Sequence, residues 1–211
     1  MLSKIIRRLV HSYNRIRLRN TEFSLITNTC IGGIIYHELR LPFLSPIINC
    51  GILEHDEFIT FLRNMEHYLS LPLDFIPSKR NYPVAVLHGE MGDVTVHFAH
   101  YHTEKDAQAK WEVRKKRIRW DNLFVLMDGD NCSDIQVRDF DNLPIKNKVV
   151  ITMKNYPECP SSFAILRKDY VQGEILKYGL LRGTIRWFEL FDIVHFFNTG
   201  KIRKNAFFRN R

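Results

Sequence analysis

Residues 22–33 read EFSLITNTCIGG. Glu22 to Thr27 forms a short, largely apolar run that suits a strand, and the loop Asn28, Thr29, Cys30, Ile31, Gly32, Gly33 closes it. Ile34 to Leu39 then starts a short helix that Pro42 ends. The same strand-then-helix order returns downstream. Leu123 to Met127 is a continuous apolar strand ending in Asp128, Gly129 and Asp130, followed by a short helix near Asp134 to Phe140 and a strand at Val149 to Met153. Between these units the sequence predicts a second short strand at Pro46 to Asn49 and a helix from an Asp56 N-cap through Phe58, Phe61, Leu62, Met65, Tyr68 and Leu69. A hairpin follows, Tyr82 to Leu87 and Val94 to Ala99 around GEMGD, and then a helix from the Thr103/Asp106 capping pair to Ile118. Beyond Tyr156 the pattern is weaker, with a strand at Phe163 to Leu166 and a helix at Thr184 to Phe197. Strands alternating with helices predict an α/β fold: a mixed, mostly parallel sheet with helices on both faces, plus amphipathic terminal helices.

The 211 residues suit a single domain, and 45% apolar with 26% charged residues suffices for a packed core. The expected organisation is a basic amphipathic helix at 1–20, one α/β domain at 21–198 and a basic aromatic tail at 199–211. The net charge of +8 is carried by the ends. Residues 1–20 hold six basic side chains and no acid, and 201–211 hold five and no acid, which leaves a mildly acidic body. A nucleic-acid-binding domain carries its positive stripe on the folded face, so nucleic acid is not the expected partner. Cys30, Cys50, Cys132 and Cys159 show no C-x-x-C spacing, which excludes zinc clusters and redox pairs and fits reduced thiols in the cytoplasm. No apolar run reaches the roughly 18 residues needed to cross a bilayer.

On a helical wheel Leu2, Ile5, Ile6, Leu9, Val10, Tyr13 and Ile16 share one arc, with Lys4, Arg7, Arg8, His11, Arg15 and Arg19 opposite. Three readings follow: a helix in the headgroup layer of an anionic membrane surface, a helix docked on its own domain, or one that meets a partner helix. At the other end Trp187, Phe188, Phe191, Phe196 and Phe197 precede KIRKNAFFRNR, where Phe207 and Phe208 lie among basic residues. That chemistry suits an interface, although such helix positions also serve as core.

Four constellations can carry chemistry. The Asn28 to Gly33 loop lies at the carboxyl edge of a strand, where glycines let backbone amides approach an anion, or else it is a tight turn; Cys30 within it is a candidate nucleophile or a packing thiol. Ala107, Trp111, Arg114 and Ile118 fall within about 60° of one another on a helix, so Arg114 shares a buried face. It must meet either an internal carboxylate or a ligand's phosphate or carboxylate, with Arg117 nearby. In VHFAHYH, His100 and His102 share one strand face as a metal pair or as acid and base, without an evident third ligand. Asp128 and Asp130 flank one glycine, a spacing that holds Mn²⁺ or Mg²⁺ against a diphosphate or simply makes a turn.

Three spaced segments carry a resemblance: FSLITNTCIGGIIYHELRLPFLSP, VHFAHYHTEKDAQAKWEVRKKRIRWDNLFVLM and NKVVITMKNY. They resemble the bacterial family known as domain of unknown function 1919. The family's loop of asparagine, cysteine and two glycines falls on Asn28, Cys30, Gly32 and Gly33, and its leucine-proline-serine-proline stretch on Leu41, Pro42, Ser45 and Pro46. Its histidine-tyrosine pair falls on His100 and Tyr101, and its tryptophan-arginine helix with the following asparagine on Trp111, Arg114, Arg117, Trp120 and Asn122. Thr29 stands where a second asparagine is expected. The resemblance spans residues 21–165. It implies an α/β fold and a place in bacterial exopolysaccharide or capsular polysaccharide biosynthesis, and it assigns no reaction.

The resulting expectation is a cytoplasmic transferase, peripheral on the inner face of the plasma membrane, and most concretely a glycosyltransferase of surface polysaccharide assembly. A nucleotide-activated sugar or other phosphate-bearing donor would meet Asn28, Gly32, Gly33, Tyr101, Trp111, Arg114, Arg117 and Asn122. Asp128 and Asp130 would hold a divalent ion, and His100 or a carboxylate would deprotonate a lipid-linked or polysaccharide acceptor. One alternative is an acyltransferase or hydrolase with Cys30 as nucleophile and His100 as base. The other is a non-catalytic assembly protein of the same pathway.

Overall fold

The computed structural model describes residues 2–165 and 190–205, with the side chains of 2–4 and 6 outside the description. In chain order the elements are α1 (Leu2–Arg17), β1 (Ser24–Thr27), α2 (Ile31–Leu39), α3 (His55–Arg63) and α4 (Met65–Ser70). Then come β2 (Asp74–Ile76), β3 (Val84–Gly89), β4 (Gly92–His97) and α5 (Glu104–Lys115). The last are β5 (Leu123–Asp128), α6 (Asp134–Asp141), β6 (Asn147–Thr152), β7 (Ser162–Ala164) and α7 (Ile193–Thr199).

The main sheet has the order β1-β5-β6-β7 with every pair parallel; Ile26 lies opposite Val125, Leu126 opposite Val149 and Ile151 opposite Phe163. Because successive side chains point to opposite faces, its apolar strands feed two cores. Leu25, Phe124, Leu126, Val149 and Ile151 pack with α2 and α7 on one side. Ile26, Val125, Met127 and Val150 pack on the other with α3, α4, α5, α6 and the second sheet. Helices on both faces are therefore what the strand pattern produces.

The hairpin does not join the main sheet. It pairs with β2 as a separate antiparallel sheet, β2-β3-β4, and turns at Glu90 and Met91, where Gly92 takes the left-handed φ of 123°. One physical reason lies at the outer edge of β4. There the Glu57 carboxylate of α3 accepts the Thr95 amide at 2.7 Å, so α3 covers the position a further strand would take. The strand expected at Pro46 to Asn49 is instead an irregular strap with Asn49 at φ 62°. The helix expected from Asp56 onward breaks at Asn64 (φ −144°, ψ 58°) into α3 and α4, and β2 was not anticipated. The Thr103 cap holds as expected, accepting from the Asp106 amide. Of the helix expected at Thr184 to Phe197, residues 184–189 lie outside the described residues, as do Trp187, Phe188, Phe207 and Phe208. Phe191, Phe196 and Phe197 are core.

α1 docks on its own domain, with its basic side inward. Arg7 binds Glu38 at 2.6 Å, His11 approaches the same carboxylate at 3.4 Å, and Arg15 donates to the Glu38 carbonyl at 3.0 Å. Arg17 grips both oxygens of Asp192 at 2.8 and 2.7 Å, and Arg203 donates to the same carboxylate. Residues 199–205 accordingly fold back along 190–192 instead of trailing, with a bridge between Phe191 and Lys204. No helix among the described residues is long and apolar enough to cross a membrane.

Asp192 is 2% exposed. Burial pushes its carboxyl up, but Arg17 and Arg203 outweigh that and hold it below the usual carboxylate range. A depressed folded value means the stabilisation is complete above the unfolded pKa of about 4 and is lost as pH falls through the lower folded value. Asp192→Asn is expected to lower stability by about 2–3 kcal/mol at pH 7, because both guanidiniums regain water only in part. Urea unfolding at pH 7 and in acid checks this: the gap between the two proteins should close at the acid end.

Candidate functional site

Adjacent parallel strands whose following helices leave on opposite faces open a crevice at their carboxyl ends. β1 and β5 meet that condition, since α2 packs on one face and α6 on the other. Asn28 follows β1 and Asp128 ends β5. The Asn28 amide clamps the Asp128 backbone, its Oδ1 accepting from Asp128 N at 2.8 Å and its Nδ2 donating to Asp128 O at 3.0 Å. One side chain thus extends the ladder past the last paired residue. His55 Nε2 reaches the same carbonyl at 3.0 Å and, because a carbonyl only accepts, donates its N–H to it.

Asp128 is half-buried in this crevice. Burial, reinforced by the charge of Asp130, pushes its pKa up to about 6, against the opposing pull of the Asp130 amide and His55. Asp128 Oδ1 accepts that amide at 3.2 Å. Buried Asp130 Oδ2 and Thr29 Oγ1 have no hydrogen-bond partner among the described residues. The Cys132 thiol is pushed up to about 12, first by burial and then by Asp128, Asp56 and Asp130. Gly129 is required between the two carboxylates, because a Cβ there would lie 2.6 Å from Val150 Cγ2 and 2.8 Å from the Ile151 carbonyl.

Among the described residues no three His, Cys, Asp or Glu side chains are grouped to hold a metal. The orphaned Asp130 oxygen beside Asp128 therefore suits Mg²⁺ or Mn²⁺ only in the manner of ions held by one or two carboxylates plus a substrate's phosphates.

The other anticipated residues lie elsewhere. Gly32 and Gly33 form the buried first turn of α2 and face packing neighbours: a Cβ would lie 3.0 Å from Thr27 Oγ1 at Gly32, and 3.0 Å from Asn49 Oδ1 at Gly33. The Gly32 amide is already taken by Thr27 Oγ1 at 3.3 Å, so it is not open to an anion. Among the described residues Arg114 meets no carboxylate. Its Nη1 donates to the Ile48 carbonyl at 3.1 Å and to the Tyr101 hydroxyl, and the guanidinium lies over Phe43 at 5.3 Å. Tyr101 is buried and donates to the same Ile48 carbonyl at 2.9 Å; burial is the main reason its pKa rises to about 12. Trp111 is core, edge-on to Phe98. Asn122 exchanges amide hydrogen bonds with Asn20 at the amino end of β5, the opposite end from the crevice. Arg117 and His100 are exposed. Cys30 occupies the half-buried N-cap position of α2, and no hydrogen bond joins it to His100 among the described residues.

The sequence reading thus reached Asn28, Thr29, Asp128 and Asp130, and missed His55, Asp56 and Cys132 as their neighbours. The His55-Asp56 pair carries no local signal of a site, since it looks like an ordinary helix start.

The family described as Domain of unknown function (DUF1919) matches residues 1–198. A protein of Haemophilus influenzae described only as an uncharacterized protein is 37% identical over 185 residues, covering 86% of this chain and 87% of the relative. The chain belongs to the DUF1919 family.

Asn28→Ala is expected to destabilise the fold by about 1–3 kcal/mol, because it leaves the Asp128 amide without its acceptor at a strand end. Asn28→Asp keeps the shape but sets a carboxylate against the Asp128 carbonyl and should be at least as damaging at pH 7. Denaturant midpoints of the two variants check both expectations.

Proposed function

We propose that this DUF1919 protein is a transferase, best read as a glycosyltransferase of bacterial surface polysaccharide assembly, whether exopolysaccharide, capsule or lipopolysaccharide. It would work in the cytoplasm, peripheral on the inner face of the plasma membrane. The single observation carrying the chemistry is Asp128, a crevice carboxyl raised to about 6 beside a second, incompletely bonded carboxylate. A general base is most effective when its pKa lies near the working pH, and strongly perturbed groups in clefts mark functional sites. The pathway is supported by the resemblance of the three sequence segments.

In this reading a nucleotide-activated sugar or other phosphate-bearing donor enters the β1/β5 crevice, and a lipid-linked or polysaccharide acceptor presents a hydroxyl to Asp128. As the acceptor oxygen bonds to the anomeric carbon, Asp128 takes its proton and the donor's sugar–phosphate bond breaks, with the electron pair leaving on the nucleoside diphosphate. Mg²⁺ or Mn²⁺ bound at Asp130 would neutralise that leaving charge. Asn28 and His55 fix the Asp128 backbone and so position the base.

The second reading is a non-catalytic assembly protein of the same pathway. The internal use of Arg114 favours it, since this arginine is engaged by the protein's own carbonyl and hydroxyl. Thermal-shift screening of nucleotide sugars with and without Mn²⁺ separates the two. A donor-specific rise in melting temperature supports the transferase, and its absence at millimolar donor supports the assembly protein.

Asp128→Asn is expected to lower kcat by about 10²-fold or more while leaving donor KM within a few-fold, and the wild-type rate should climb as pH rises through about 6. Stability should move the opposite way. Because the folded pKa is raised, the penalty of the ionised carboxylate is absent below about 4 and complete above about 6. Asp128→Asn should therefore be more stable than wild type by about 1–3 kcal/mol at pH 7.5 and equal to it near pH 4. Paired melts across that range check the sign.

A further inference from the structure

The docking of α1 leaves its apolar stripe in water. With Arg7, His11 and Arg15 turned onto Glu38, Ile5 is 47% exposed, Leu9 65%, Tyr13 44% and Ile16 84%. These four positions fall within about 80° on the helix and run for about 16 Å along it. Exposed apolar residues aligned on one face mark an interaction surface, and the charge around this one selects its occupant. Residues 1–20 contain no acid. Arg8 on the helix and Arg19 just beyond its end are exposed. Between α1 and α2 lies a cleft of ≈ 670 Å³ whose lining includes Arg8, Arg15, His37 and Arg40; its lining carboxylate, Glu38, is already bound by Arg7.

We propose that this face is a preformed docking surface for an anionic lipid bilayer, with Ile5, Leu9 and Ile16 entering the acyl boundary and the α1–α2 cleft taking a lipid phosphate. The inference rests on the membrane-peripheral part of the reading above and not on the chemistry of the crevice. The two sites lie at opposite ends of α2, whose first turn follows the Asn28 loop and whose last turn carries Glu38. A second copy is a poor occupant, because residues 1–20 hold six cations and no acid, so pairing two stripes would bring no counter-charge to Arg8. An anionic bilayer satisfies both halves at once, with acyl chains against the stripe and phosphates against the flanking cations. The arginines thus divide their work: Arg7 and Arg15 fasten the helix to the domain, while Arg8 and Arg40 remain for headgroups.

The test is flotation of the full chain with phosphatidylcholine vesicles with and without about one third phosphatidylglycerol. Recovery is expected with the anionic vesicles only, and it should fall as salt rises. Leu9→Glu with Ile16→Glu should reduce binding at least tenfold, and Arg8→Glu with Arg40→Glu about tenfold. All four residues are exposed, so unchanged circular dichroism and melting should accompany the loss. Wild type that fails to float, or a Leu9→Glu/Ile16→Glu protein that floats undiminished, overturns the proposal. Displacement by millimolar inorganic phosphate at constant ionic strength would assign the cleft to free phosphate. A dimer abolished by Leu9→Glu, or capture of an acidic helical peptide, without flotation would assign the stripe to a protein; each of these results overturns the lipid assignment. Asp128→Asn should float like wild type. Flotation without turnover removes only the crevice reading, and turnover on a soluble donor without flotation removes only this one.

Discussion

The carbonyl of Ile48 is the acceptor around which the molecule is assembled. Residues 43–51 cross between the layers without a strand ladder, so their buried polar groups must find partners one by one. Tyr101 and Arg114 both donate to Ile48, Asn49 accepts the His100 amide, and Gly51 bridges to His97. Ile47 and Ile48 enter the two cores on either side of the main sheet. An arginine is well suited to this position, because its several donors satisfy a carbonyl and a hydroxyl at once while its flat face covers Phe43. The arrangement needs no carboxylate, and none pairs with Arg114 among the described residues.

The strap in turn sets the crevice. Gly51 passes so close to the end of β1 that a Cβ would come within 2.6 Å of the Asn28 carbonyl, and Asn49 presses on the first turn of α2 at Gly33. Asn28 is thereby held where its amide can stand in for one more paired strand residue against Asp128. An amide can do this because it carries a donor and an acceptor on one rigid plane. The raised pKa of Asp128 follows from that closure: its backbone is fully bonded, while burial leaves the carboxyl little water.

The strands of the main sheet were legible because β1, β5 and β6 are largely buried on both faces and centre on short apolar runs. The hairpin was legible from its turn, and α5 from its Thr103 cap. β2 was not, since Asp74 and Ile76 are exposed and only Phe75 is half-buried, too short an apolar signal to mark a strand. The partner of Arg114 was out of reach for another reason. The wheel placed the side chain on the inner face, but what it met was a neutral carbonyl 66 residues away, which no side-chain pattern encodes. The residues of the family resemblance divide the same way: Asn28 reaches the crevice, while Gly32, Gly33, Tyr101, Trp111 and Asn122 serve packing or internal hydrogen bonding. A spaced motif reports what the fold requires as readily as what the chemistry requires.

The orientation of α1 makes the same point through electrostatics. A hydrophobic wheel predicts which residues share a face, but not which face turns inward, and the usual assumption is that the apolar one does. Here the last turn of α2 carries Glu38, and the carbonyls at a helix C-terminus carry partial negative charge that adds to that carboxylate. Arg7 and Arg15 meet both, one at the side chain and one at the backbone. Leu18 is the apolar residue that enters the core from this end, one position beyond the helix. The inward face of α1 is thus chosen by a local concentration of negative charge, at a surface where arginine stems bury alongside their hydrogen bonds. The choice leaves the apolar stripe on the outside of a helix that is already folded and fixed. Membrane association through such a helix would require neither folding on contact nor release of the docking bonds, because the groups that fasten it and the groups that would meet lipid are different side chains.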